Sequence, residues 1–213
     1  MEYLSEILLP ILIFAIYWSK ASKNKNGDNN LKNVGFFKFL KNSYRMRNRM
    51  NNAEKFVWEE LLNLHKLNHW SHSVFETEKQ IESVFAINKT NTKIFLYAIF
   101  KDQLLFKVVL IENFPIEHTT NLFILATHFN NNFHFGRVVV NTKNRTVEFI
   151  SLVDLDIYSL LPEKISNDLS LHFGYSCDVY WGFNKYLETK DEPALIFADF
   201  LIWRESELSF QEK

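Results

Sequence analysis

The chain has 213 residues, a formal net charge of −1, 47% apolar and 16% aromatic content, which is enough to bury one good core. Its single cysteine, Cys177, excludes an internal disulfide framework, and no cysteine pair exists to hold a metal. The balanced total hides a segregation: Lys20, Lys23, Lys25, Lys32, Lys38, Lys41, Arg45, Arg47 and Arg49 face only Asp28 between positions 20 and 49, and the balance of the chain is acidic.

The run Ile7 to Trp18 contains no polar side chain. Extended back to Tyr3 and rising about 1.5 Å per residue, it approaches a hydrocarbon core of roughly 30 Å, and it is read as a short transmembrane anchor over residues 1–20. Ile7, Leu12, Phe14 and Trp18 are its expected lipid contacts. A signal peptide would carry its positive charge before the run, whereas here Glu2 and Glu6 precede it and Lys20, Lys23 and Lys25 follow. The same asymmetry predicts an outside amino terminus and a cytoplasmic body. A cleaved leader and a helix lying in the interface are the competing readings.

Residues 21–52 are expected to form a flexible basic juxtamembrane segment. Lys20 to Asn33, rich in Asn, Lys and Ser, has too little apolar surface to offset its ordering entropy. In the stretch that follows, Phe36 and Phe37 are interleaved with Lys38, Lys41, Arg45 and Arg47, a pattern suited to anionic lipid headgroups. The same residues could meet nucleic acid, but closeness to the anchor argues for membrane lipid as the partner and against nucleic acid, and an ordinary positive-inside flank without lipid selectivity accounts for them most simply.

From Ala53 the period becomes helical, with Phe56, Val57, Leu61, Leu64 and Leu67 on one stripe after the Asn51-Asn52 pair. His65, His69 and His72 share this stretch at metal-ligand spacing, yet no acidic or cysteine ligand is in register with them, and no metal or other cofactor is expected. Strands are expected at Val74 to Glu78, Ile81 to Ile87, Lys93 to Phe100 and Leu104 to Ile111, the last two forming a hairpin around Lys101-Asp102-Gln103. Both faces of that hairpin are apolar, so one should pack on helices and the other meet a partner. Phe95, Tyr97, Ile99 and Phe106 are assigned to the partner surface.

Pro115 opens a second helix that Asn130, Asn131 and Asn132 stop. Phe135 to Asn141 and Thr146 to Val153 form a second hairpin around Thr142 to Arg145. Asp154 and Asp156 follow; two nearby carboxylates can perform acid–base chemistry, but capping or solvation accounts for them without a paired base. Ser159 and Pro162 mark the start of a long helix through Leu187, with Gly174 a candidate bend, and Ala194 to Trp203 is a further apolar element that packs back on the domain or on a second copy. Asn88-Lys89-Thr90 and Asn144-Arg145-Thr146 match the glycosylation pattern, which has no role if the body is cytoplasmic.

The expected class is therefore α+β, an antiparallel sheet with helices on one face, in the order α-β-β-β-α-β-β-α over residues 53–213 after the anchor. His128-Phe129-Asn130 ending a helix, the strand from Phe135-Gly136-Arg137 through Val140, and Val147-Glu148-Phe149 before an amphipathic helix resemble the YbjN-like and type III secretion chaperone-like families over about residues 54–188. The resemblance implies a non-enzymatic, often dimeric binding module with no catalytic residues to carry over. The leading expectation is a membrane-anchored cytoplasmic protein-interaction module with an unknown protein partner or a second copy. The alternatives are a hydrolase using Asp154, Asp156 and one of His128, His134 or His172, and a sensor of anionic lipid surfaces.

Overall fold

The computed structural model describes residues 41–211. The anchor run and its contacts Ile7, Leu12, Phe14 and Trp18, together with Phe36, Phe37 and Lys38, lie outside the described residues. No described helix is long and apolar enough to cross a membrane.

Residues 41–51 are helical, a departure from the flexibility expected there. The stretch has neither Gly nor Pro, and Lys, Arg and Met are good helix formers, so local propensity carries it. From Asn48 onward the chain forms one compact unit. Its first helix is α1 (Ala53–Leu67), with Val57, Trp58, Leu61 and His65 buried along one stripe. Four strands follow: β1 (His72–Phe75), β2 (Gln80–Ala86), β3 (Thr92–Phe100) and β4 (Gln103–Ile111). All four runs expected as strands form them, one more than the expected order α-β-β-β-α-β-β-α places before the second helix. The first is shorter and earlier than expected because residues 76–79 form a turn, with Lys79 at φ 50°. A 3-10 turn at Ile116–His118 leads into α2 (Thr119–Asn132), then β5 (Arg137–Asn141) and β6 (Thr146–Asp154). A short helix α3 (Leu155–Leu160) precedes α4 (Glu163–Thr189), which runs unbroken through Gly174, and α5 (Pro193–Gln211) closes the chain.

All six strands join one antiparallel sheet in the order β1-β2-β3-β4-β6-β5. The α+β class with an antiparallel sheet is thus as the alternation and helical periods predict. Side-chain parity divides the sheet cleanly. On one side Ile81, Phe95, Tyr97, Leu104, Phe106, Val108, Val138, Val147 and Phe149 are buried. α4 crosses this side over β4 and β6 with Ile165, Leu169, His172, Val179 and Phe183 inward, while α2 lies along β5 and against α5. Aromatic rings dominate the contact; Phe129 alone meets Phe133, Phe183, Phe197 and Phe200 at 4.9–6.0 Å between centroids. Gly182 makes this close approach feasible, since a Cβ there would sit 2.6 Å from Phe129 Cζ.

The two edges of the sheet differ. On β5, the Asn130 side chain at the end of α2 donates to the Val138 carbonyl at 3.1 Å and accepts from its N–H at 2.7 Å, doing for that edge what another strand would do. β1 at the opposite edge is four residues long, with Ser73, Val74 and Phe75 exposed.

Candidate functional site

The sheet has a second side, and no described helix covers it. Register pairing lays it out as rows across the strands. Glu82, Leu96, Lys107, Ile150 and Arg137 form one row. Gln80, Ala98, Leu105 and Leu152 form the next, with Phe75 at its β1 end. Val84 lies opposite Ile94, and Val109 opposite Glu148, which is opposite Val139. Large apolar side chains stand open here: Val84 and Leu152 at 47%, Ile94 at 57% and Phe100 at 61% exposure. Isolated exposed apolar residues are ordinary, but a contiguous set on one flat surface marks an interaction site. A depression of about 440 Å³ within it is lined by Ile94, Leu96, Lys107, Val109 and Glu112 together with Thr92, Lys93 and Val108.

The charges on this face are held in place. Glu148, only 5% exposed, takes Lys107 Nζ at 2.8 Å on one carboxylate oxygen and the Thr146 hydroxyl at 2.9 Å on the other. The salt bridge costs desolvation and returns position, fixing an ammonium near the middle of an apolar surface.

The expectation of a partner surface on this hairpin chose the wrong side of it. Phe95, Tyr97 and Phe106 are buried in the core and Ile99 is half-buried against it, because α1 and α4 cover that side. Successive residues of a strand point to opposite faces, so an error of one position transfers a whole row. The signal that separates the faces lies in neighbouring strands: Glu82, Lys107, Glu148 and Arg137 all share the side of Leu96, and no charged residue occupies the middle of the other.

The candidate hydrolytic residues do not converge. Asp154 is exposed at the open end of β6 and accepts from Gln103 at 2.8 Å, while Asp156 is exposed on α3. His172 is sealed on the opposite side of the sheet, stacked on Phe149 and edged by Phe95, Tyr97 and Phe106. Its Nε2–H reaches the Phe149 carbonyl at a long 3.4 Å, and Nδ1 has no partner. Burial pushes this imidazole down to about 3, against a small upward pull from the carbonyl. His128 stacks on Phe197, and His134 is exposed. Asp154 and Asp156 thus share no contact with any of the three.

His65, His69 and His72 are likewise divided. His65 is buried, with Nδ1–H donating to the Leu61 carbonyl at 2.7 Å and its ring centroid 5.1 Å from that of His72; His69 turns outward at φ 53° where α1 ends. Among the described residues no group of three His, Cys, Asp or Glu side chains is arranged to hold a metal ion. Cys177 is half-buried on α4, where burial first and Asp178 second push its thiol up to about 11, away from nucleophilic reactivity. Of the residues assigned to lipid contact, Lys41, Arg45 and Arg47 are described, and all three are exposed on the helical residues 41–51.

No family model matches this chain, and no curated protein matches it in sequence.

Proposed function

We propose that this chain is a membrane-tethered protein-interaction module that binds through the open face of its sheet and performs no chemistry of its own. The observation that carries the reading is the exposure of Val84, Ile94, Phe100 and Leu152 on one face of a sheet whose other face holds the aromatic core. Leaving such a surface in water costs on the order of 25 cal/mol per Å² that burial would recover, so a partner that covers it gains affinity directly. The run Ile7 to Trp18 supplies the tether and the basic flank keeps the folded unit on the cytoplasmic side. The resemblance in element order to chaperone-like binding modules points the same way.

The test is site-specific photocrosslinking of the full chain in its native membrane. A photoreactive phenylalanine at Ile94 or Phe100 should yield protein adducts, and the same residue at Leu171 on the outer side of α4 should not. Equal yields from all three positions, or none from the first two, would overturn the reading.

A second reading rests on the helical residues 41–51, where Lys41, Arg45 and Arg47 are exposed beside Tyr44, Met46 and Met50. Cations beside apolar and aromatic groups suit an anionic lipid surface, each basic residue contributing about 1 kcal/mol near the headgroups. Vesicle association of the full chain should then rise with the fraction of anionic lipid. Indifference to that fraction would remove lipid sensing.

A further inference from the structure

We infer that the occupant of the open face is a second copy of this chain, seated sheet against sheet about a two-fold axis that runs along β3. This rests on the reading that the open face is a binding surface, and it names the partner. The side chains of the open face are arranged symmetrically about that strand. Glu82 and Lys107 flank Leu96, one on β2 and the other on β4, at the same level. In the adjoining row Val84 lies beside Ile94 on one side, and Val109 lines the same depression on the other.

A two-fold axis parallel to β3 carries β2 of one copy over β4 of the other. Leu96 then faces Leu96, Ile94 faces Ile94, and Glu82 of each copy faces Lys107 of its mate, twice per dimer. One row further out, Phe75 beyond β2 falls over Leu152 beyond β4. An axis across the strands at the Leu96 row would instead set Glu82 on Glu82 and Lys107 on Lys107, so charge selects the first arrangement over the second. The Lys107 ammonium has three donors, and Glu148 at 2.8 Å positions it to receive a second carboxylate. Two sheets packed this way stand about 10 Å apart. The five strands that overlap about this axis, β1, β2, β3, β4 and β6, spaced about 4.8 Å by seven residues of about 3.4 Å, give a footprint on the order of 570 Å², below the roughly 800 Å² per partner of a standard-sized specific interface.

The experiment uses the full chain in membranes, with Cys177→Ala as background and Leu96→Cys as the single thiol, treated with a bismaleimide spanning about 10 Å. The expected product has twice the chain mass. Adding Glu82→Lys, which places two ammonium groups together at each contact, should cut that product at least fivefold while circular dichroism and melting stay unchanged. Leu171→Cys should give little of it. An undiminished product with Glu82→Lys would overturn the two-fold arrangement. An adduct of another mass would overturn the second copy while leaving the sheet face as a binding surface. No adduct, with the thiol fully labelled by a monofunctional maleimide, would overturn the second copy, and the photocrosslinking from Ile94 and Phe100 then decides whether the face binds anything else.

Discussion

An imidazole enclosed by aromatic rings folds only in its neutral form, and His172 is held in that state. In the unfolded chain the ring takes a proton as pH falls through 6.5, whereas in the folded chain burial keeps it neutral down to about 3. Between those values the unfolded state binds more protons, so stability present at neutral pH is lost as the solution is acidified. At about 1.4 kcal/mol per pH unit, some 2 kcal/mol is lost by pH 5. His65 acts in the same sense, lowered by burial and then by His72 against the Leu61 carbonyl. Asp178 acts oppositely below its raised value of about 6, where burial outweighs Arg204 at 3.4 Å, so the total profile mixes signs. A difference measurement isolates His172. His172→Leu removes the unpartnered Nδ1 and should change stability at pH 7 by less than about 1.5 kcal/mol, yet lose about 2 kcal/mol less than the native chain on going to pH 5 in urea titrations. Parallel losses in the two proteins would show that the ring accepts its proton without unfolding the core.

At the scale of elements, the sheet depends on two contacts that its strands do not make themselves. Asn130→Ala would leave the Val138 N–H and carbonyl without their side-chain partner at the β5 edge. That should destabilise the domain by about 1–3 kcal/mol and speed exchange of the Val138 amide, read by hydrogen exchange. Gly182→Ala would drive a methyl to within 2.6–2.8 Å of the Phe129 ring, and relief requires moving a ring that meets four others, so about 1–3 kcal/mol should be lost in thermal melts. The pairing of β3 with β4 and of β5 with β6 is legible in the sequence, because long β-branched and aromatic runs bracket short polar turns. So is α4, whose Ile165, Leu169 and Phe183 keep helical spacing. The bonds of Asn130 are not legible. Its place in a run of three asparagines explains a helix stop, and the clamp exists only because α2 packs along β5, a tertiary fact. α3 is missed for another reason: six residues hold less than two turns, too few to display a period.

At the largest scale, the sheet of the described residues separates an aromatic core from an apolar surface, and the sequence makes those two sides look alike. On β3, Phe95, Tyr97 and Ile99 alternate with Leu96, Ala98 and Phe100, so hydrophobicity within the strand does not choose between them. The choice is made by the neighbours, since the hairpin register puts Lys107 beside Leu96 and Glu82 on its other flank. Reading charge across paired strands, rather than along one, identifies the open face. The consequence is a test of parity on adjacent residues. Phe95→Ala removes a ring buried against Phe85, Phe173 and His172 and should cost about 3–5 kcal/mol, lowering the melting temperature by several degrees or more. Ile94→Ala, one position earlier and 57% exposed, should cost well under half as much because water already reaches most of the side chain. Its effect should appear instead in association, as weaker crosslinking from the open face. If Ile94→Ala proved as destabilising as Phe95→Ala, the sheet would have covered sides on both faces, and the surface on which the proposed function rests would not exist.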